Sequence, residues 1–563
     1  MSLPAVVHNN LVPQVQTSLL DRAIGYFAPE RAARRLHARM QTAVASQFMA
    51  SISGSGGYDG GSRNRRETNS WVPFATDADT ATLSDLNDLR SRCRDAVRNF
   101  PIATGAVNST VTAVVGSGLT LQSTIDRSIL KMTDDKAEEW QRGTEREWRL
   151  FAESKDCDWS REMNLNGLSE LAFRSTLENG DVFISLPRKK RARNPYSLCV
   201  QLIEADRVCN PNFALDSSTC VGGVKKDPTT GEAVGYHVLK GHPGNLLYID
   251  KGRWQWDYIP AYDPKTGLPN IIHLKRPMRI GQTRTAPFLA PVLEPLRMIT
   301  RYSQAELMAA VVSAMFTVFV KTPAATGLGN MGAAPTGVGG GVVSYGANNA
   351  SPVTSGDLKL GNGMIVDLAP GEEIEIAEST RPNSGFDPFF MAIVRQIGIA
   401  LEIPYEVLIQ HFTASYSAAR MAVEQAWVFY LGRRSWLVEN FYKIIYEVFM
   451  TEAVALRRIA APGFMASPLM RMGYLGAQWT GPKKPQVDPV KEANAAKIRV
   501  EEEFSTRALE SANLTGTDWE TNHIQRAKEE RMRRDDGTVM DQVAPPAAQR
   551  PEPEQNEDLP EAV

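Results

Sequence analysis

The spacing of apolar residues changes along this chain, and the changes divide it into stretches of different structure. Near Thr82 a helical stretch begins, with Thr82 or Ser84 suited to cap it and Asp85 and Asp88 favourable in its first turn. Leu86, Leu89, Cys93 and Val97 follow at three- and four-residue spacing, the signature of one apolar helix face. Asn99-Phe100-Pro101 interrupts it, because proline disfavours helix in the residue before it. A second helix or strand then runs to Val114–Ser123, where Gly116 and Gly118 predict a tight turn into a strand. Residues 134–154 predict another helix, with Trp140, Trp148 and mixed charges.

From Gly180 to about His273 the pattern shifts to short strands. DVFISL, YSLCVQLIEADRV, GYHVLK, WQWDYIPAY and IIHL are rich in β-branched and aromatic residues and are punctuated by Asn, Pro and Gly. Helix returns over Pro287–Val320, with Leu289, Val292, Leu293, Leu296, Ile299 and Tyr302 on one face. Residues 324–363 are dense in Gly, Ala, Pro and Asn, a length of loop uncommon inside a compact domain. GEEIEIAE, from Gly371 to Glu378, alternates as a strand with one wet face. Helices are expected again from Phe386 to about Met450 and over 490–535, before a Pro-rich acidic tail. The fold class read from this pattern is α+β and mainly helical.

The first 80 residues read as an arm. Arg31, Arg34, Arg35 and Arg39 lie in a helix-prone stretch ahead of a flexible Gly- and Ser-rich loop, Ser53–Arg66. No positively charged segment followed by an apolar core opens the chain, so no signal peptide is expected. The longest apolar run, Leu307–Val320, is too short to span a bilayer, and no membrane partner is expected.

Composition narrows the chemistry. The 62 Lys and Arg against 64 Asp and Glu give a net charge of -2, without the basic excess of a protein that grips DNA over a broad face. The five cysteines form no CxxC pair and predict reduced thiols of a cytosolic protein. GLGNMG (Gly327–Gly332) matches a dinucleotide fingerprint in letters only, since Pro323 and Pro335 flank it where a strand and a helix are required. GxxxxGK[ST], HExxH and GxSxG are absent. The seven histidines are scattered; His237 and His242 are close but flank a turn, and no metal site, cofactor or catalytic residue is expected. An enzymatic alternative, a metal-dependent DNA-processing enzyme, would have to rest on acidic groups such as Glu372, Glu373 and Glu375.

Five runs, in order, carry a resemblance. They are Asp88–Gln122, with its Arg-rich helix, proline break and Val-Val-Gly-x-Gly-Leu turn; the pair ENGDVFI (Glu178–Ile184) and IEADRV (Ile203–Val208); HLKRPMRIGQTRTAPFLAPVLEPL (His273–Leu296); Arg381–Gln425; and Trp479–Ala495. Together they resemble the lambda-like family of phage portal proteins. Thr285-Ala286 stands where the family pattern often has Gly soon after Gly-Gln-x-Arg.

The resemblance implies a mainly helical portal fold with wing, stem, β-rich clip and C-terminal crown regions. It implies a non-enzymatic dodecameric ring at one capsid vertex, a conduit for genome packaging and ejection. Implied partners are the terminase large subunit, the major capsid or scaffold protein, head–tail connector proteins and non-specifically held double-stranded DNA. The implied location is the virion, after assembly in the host cytoplasm. The regions would be an arm (1–80), wing (81–199), clip-like module (200–275), stem helix region (276–323), Gly-rich loop (324–363), wing and tunnel-lining helices (364–480), crown-like helices (481–535) and a disordered tail (536–563). A tunnel loop would fall near 408–418, with Gln410, His411, Phe412, Thr413, Ser415 and Tyr416 as the DNA-facing candidates. The segment has no Lys or Arg, and each such residue held on a phosphate would strengthen binding that a translocating duplex must break.

Overall fold

Pro101 ends one helix and begins the next. The computed structural model describes residues 59–61, 66–245, 252, 254–315, 319–321, 373–375, 385–412, 415–486 and 488–536. They belong to two units, Met1–Asp77 and Ala78–Val563. The first contributes a single short helical turn, Asp59–Gly61; its four candidate arginines, 31, 34, 35 and 39, lie outside the described residues. Everything below concerns the second unit.

Helix α1 (Ala78–Leu83) precedes α2 (Leu86–Asn99), which stops at Phe100, and α3 (Pro101–Val114) begins with proline at its first position. There the missing N–H costs nothing. Thr82 is not the cap expected of it: it lies inside α1 and its hydroxyl donates to the Ala78 carbonyl at 2.8 Å. Asp85 stands at the head of α2 with helical backbone angles and caps nothing with its side chain. Gly116 and Gly118 take left-handed φ of 56° and 109° and deliver the chain into β1 (Thr120–Ser123). Helices α4 (Asp134–Ala152) and α5 (Leu165–Asn179) follow.

The strands between Asp181 and Lys275 make two sheets. Strand β2 (Asp181–Ser185) is central in a three-stranded antiparallel sheet, between β3 (Gln201–Ile203) and β8 (Ile271–Lys275). The intervening β4 (Cys220–Val221), β5 (Val224–Lys226), β6 (Ala233–Leu239) and β7 (Trp256–Pro260) form a separate antiparallel meander. Strand side chains alternate faces, and β2 uses both: Val182 and Ile184 enter the large helical core, whereas Phe183 enters a smaller core with Val224, Tyr236 and Val238 of the meander. Ile272 and Leu274 of β8 face the first core and Ile271 the second. A strand buried on both faces reads as the continuous apolar run DVFISL.

Helix α6 (Leu293–Met315) buries Leu296 and Ile299, as its pattern predicted. It ends earlier than expected, because Phe319–Lys321 is strand β9, paired antiparallel with β10 (Glu373–Glu375). The Gly-rich stretch 324–363 and GLGNMG lie outside the described residues, as does Glu372. Helices α7 (Phe386–Ala400), α8 (Tyr405–Leu408) and α9 (Tyr416–Leu437) come next. A π-helical turn, Val438–Tyr442, carries α9 into α10 (Lys443–Ala455).

A short helix α11 (Pro468–Tyr474) leads to β11 (Ala477–Thr480), which pairs with β1 across more than 350 residues of chain. Trp148 of α4 lies edge-on to Tyr446, Phe449 and Trp479 at centroid distances of 5.5, 5.2 and 5.4 Å. This aromatic cluster pins α4, α10 and β11 together. Helices α12 (Pro489–Glu501), α13 (Arg507–Thr515) and α14 (Trp519–Asp535) complete the described chain.

Candidate functional site

The candidate tunnel loop sits between two helices. Leu401 ends α7, and Glu402 turns the chain with a left-handed φ of 58°. Pro404 then starts the single turn of α8, which ends at the buried Leu408. Gln410 has a left-handed φ of 55°, and the His411 N–H donates to the Glu406 carbonyl at 3.0 Å. Phe412 is 49% exposed. Thr413 lies outside the described residues, as does the side chain of Tyr416. Ser415 caps α9, its hydroxyl accepting from the Ala418 N–H. Between α8 and α9 the described residues are 409–412 and 415, and the candidate stretch 408–418 runs into a helix at each end. Tyr416 belongs to the first turn of α9, because a serine cap fixes the helix start one residue earlier. Gln410, His411, Phe412 and Ser415 are all exposed.

A second assembly of polar side chains is deeply buried. Asp181, at the start of β2, is wholly shielded from solvent. Arg284 donates to it from Nε at 2.5 Å and from Nη2 at 3.1 Å. Arg90 of α2 donates from Nη2 at 2.8 Å, and His273 of β8 lies 3.0 Å away through Nε2. The carboxylate can only accept, so Nε2 carries the proton. Despite the cost of burial, the two guanidiniums and the imidazole hold the Asp181 carboxyl far below the usual carboxylate range. Burial lowers His273 to about 4, so it is neutral at pH 7.

The network spreads outward from Asp181. Arg284 spends its other donors on the carbonyls of Val208, Gly222 and Ala205 at 2.8, 2.7 and 2.8 Å, and its guanidinium lies over the Phe183 ring. Arg90 also binds the Asn179 carbonyl at 2.9 Å. Arg94 pairs with Asp206 at 2.5 Å and with Glu204 at 3.3 Å. Thr283 donates its N–H to Asp79 at 2.6 Å. Three arginines thus face three carboxylates, Asp181, Asp206 and Glu204, in one connected group.

Segments of three of the five runs that suggested the family meet here: the Arg-rich helix, the pair ENGDVFI and IEADRV, and the stretch containing Gln282-Thr283-Arg284-Thr285. They tie α2, the central sheet and the meander into one body. Nothing local in these runs reveals the network. The available signal was an unpaired charge inside an apolar run, Asp181 beside Val182, Phe183 and Ile184.

Chemistry is sparse elsewhere. Among the described residues the group best spaced to hold a metal ion is Glu204, Asp206 and His242. Its carboxylates already pair with Arg94, and His242 lies 3.3 Å from Asp206. A cation fixed there would have to displace or face a guanidinium, so the residues do not fit a metal well. Among the described residues no helix is long and apolar enough to cross a membrane.

The family profile described as "Phage portal protein, lambda family" matches residues 64–434, well over half of the chain. The portal protein of Escherichia phage N15 is 26% identical over 490 residues, covering 85% of this chain and 90% of that one. Portal protein B of Escherichia phage lambda is 26% identical over 523 residues, covering 90% and 94%. Among solved structures, a chain in the virion of a native gene transfer agent particle aligns over 76% of this chain and 93% of its own, at 14% identity and a TM-score of 0.39. A chain in the neck of the native particle computed with C12 symmetry aligns over 77% and 93%, at 13% identity and a TM-score of 0.39.

The chain belongs to the lambda family of phage portal proteins. It is a virion protein of the portal class, a subunit of the ring through which the phage genome is packaged and ejected.

Proposed function

We propose that twelve copies of this chain close into a ring at one capsid vertex, and that the ring works as a passive conduit and docking hub. The observation that carries this reading is the family match over residues 64–434. The ring receives the terminase large subunit during packaging and head–tail connector proteins afterwards, and it contacts the major capsid or scaffold protein at its rim. It catalyses no reaction itself. The chain has no Walker motif to drive a motor, and Arg94 occupies the best-spaced acidic group among the described residues. Assembly takes place in the host cytoplasm.

Regions take their portal roles in sequence order. Residues 1–80 are an arm, 81–199 and 364–480 build the wing and the tunnel wall, 200–275 the clip, 276–323 the stem, 481–535 the crown, and 536–563 a tail. The tunnel's narrow point is the turn carrying Gln410, His411, Phe412, Thr413 and Ser415, with Tyr416 beginning the helix below it. A wall without Lys or Arg lets phosphates pass without their salt-dependent grip.

The test is the mass of the purified full-length assembly together with an image down its axis. A twelve-fold ring with a central opening is the expected result. A chain that stays monomeric under all conditions overturns the reading, and a ring of another order overturns the stoichiometry.

A further inference from the structure

A ring with one kind of interface needs two different, complementary patches on every subunit. The structure offers such a pair. One is an open groove of about 890 Å³ between α7, α8 and α9. Its walls are apolar and unusually bare: Ile399 is 80% exposed and Val428 72%. Trp436 continues the apolar lining. Three arginines, Arg276, Arg395 and Arg433, edge it. Arg395 lies over Tyr405, and Arg433 over Phe288 and Phe429. Among the described residues none of the three forms an ion pair, and the buried Nε of Arg433 has no hydrogen-bond partner. Glu402 and Glu406 also line the groove. That mixture disfavours nucleic acid phosphate and favours a protein segment with both acidic and apolar groups.

The second patch is the last residue of α12 and the turn that follows it towards α13. It reads Glu501-Glu502-Glu503-Phe504, and all four residues are exposed, Phe504 to 81%. Glu503 has a left-handed φ of 62°, and Arg499 clasps Glu510 through two hydrogen bonds of 2.8 and 2.7 Å at the base of the turn. The turn is thus held as a projecting knob with an aromatic tip and an acidic collar. Arg and aromatic residues dominate binding energy at interfaces when they fill pockets, and opposite charges set partner and register.

We propose that the Glu501–Phe504 knob of one subunit seats in the Arg276–Arg395–Arg433 groove of the next, forming a recurring contact of the ring. The occupant of the groove is a second copy of this chain, with Phe504 against Ile399 and Val428 and the glutamates against the arginines. This inference rests on the ring reading above.

The experiment uses the full-length chain with Phe504 replaced by the photoreactive p-benzoylphenylalanine, assembled from a mixture of light and heavy isotope-labelled subunits. Light–heavy cross-links from position 504 to peptides containing Ile399 or Val428 are expected. Cross-links confined to one copy, or mapping elsewhere on the neighbour, overturn the proposal. A charge swap reads the same contact without the probe. The exposed pairs Arg276→Glu with Arg395→Glu, and Glu502→Lys with Glu503→Lys, are each expected to raise the concentration for half-assembly by at least about tenfold. Combining them should return it to within about threefold of the parent. Rings that assemble normally in both reversal variants overturn the proposal. So do arginine-reversed rings that assemble normally but lose DNA, since the groove would then hold phosphates. If the unmodified chain forms no ring, the portal-ring reading itself falls; if rings form without the cross-link, only the knob-and-groove contact does.

Discussion

Arg284 grips Asp181 through two hydrogen bonds, Nε to Oδ2 at 2.5 Å and Nη2 to Oδ1 at 3.1 Å, with both side chains buried. The carboxylate also holds Arg90 and His273. Removing it leaves the buried Arg284 without its carboxylate and Arg90 with only Asp206, at 3.5 Å, and breaking a buried pair in this way costs about 3–5 kcal/mol. Asp181→Ala is therefore expected to lower the urea midpoint sharply or to leave the chain insoluble. Arg284→Lys should not rescue the site, because one ammonium cannot replace donors that reach Asp181 and the carbonyls of Val208, Gly222 and Ala205 together. An Arg284→Lys protein that unfolds at the parent's urea concentration would show that the network is dispensable.

His273 gives the fold a pH dependence of known sign. Its folded pKa is lowered to about 4 from an ordinary value of 6.5, so the unfolded chain binds the proton more readily than the folded one. Stability from this residue is fully present above pH 6.5 and is lost as pH falls towards 4. By pH 5 the loss is about 2 kcal/mol, at about 1.4 kcal/mol per pH unit. Asp181 contributes little change between pH 7 and pH 5, because its stabilising effect is lost only as pH falls below the ordinary carboxylate value of 3.8 towards its lower folded one. Urea unfolding at pH 7 and pH 5 checks this. His273→Gln keeps a donor for Asp181 but does not titrate, so its pH 7 to pH 5 difference should be smaller than the parent's by about that amount. Equal differences in the two proteins would assign the acid sensitivity elsewhere.

Local periodicity was enough to read the helices and most strands, because each of those signals lies within a few residues. Leu296 and Ile299 are buried on the face that their spacing marks, and Pro101 divides two helices where its chemistry requires. The pairing of β1 with β11 was not readable, since neither four-residue strand carries a signal that names its distant partner. The neighbours of β2 were not readable for a related reason. Its apolar run reveals burial on both faces but not that β8 and β3, rather than the meander, flank it. At the tunnel candidate the sequence marked the turn and its polarity, but cap geometry moved Tyr416 from the loop into α9. The Asp181 network escaped because its charges come from four segments, and only folding brings them together.

Gly180 tests how closely those segments must approach. It joins α5 to β2 with a φ of 89°, and a Cβ there would lie 1.9 Å from the Thr285 carbonyl oxygen. The Thr285 hydroxyl meanwhile donates to the Gly180 carbonyl at 2.8 Å, locking the two backbones. Gly180→Ala adds both a forbidden φ and a clash with backbone that cannot step aside, so a loss of more than about 3 kcal/mol is expected. Thermal unfolding of the purified variant measures it. Gly231→Ala is the comparison: Gly231 shares a positive φ of 75° but has nothing within 4 Å of an added Cβ, so it should cost about 1 kcal/mol or less beyond its local strain.

Phe412 is the most direct probe of the tunnel. It is half exposed at the turn between α8 and α9, and among the described residues no aromatic neighbour holds its ring. Truncating an exposed side chain away from packed structure usually changes stability by no more than about 0.5 kcal/mol. Phe412→Ala is therefore expected to fold and form rings like the parent. If the turn lines the conduit, the variant's effect appears only when DNA moves: packaged genome length or DNA retention in particles falls while ring yield is unchanged. Gln410→Gly separates shape from contact, since glycine keeps the left-handed φ of 55° without strain and removes the side chain. A packaging defect in Phe412→Ala but not in Gln410→Gly would assign the effect to the ring of Phe412. Failure of ring assembly in Phe412→Ala, or normal packaging in both variants, would remove this turn from the tunnel wall.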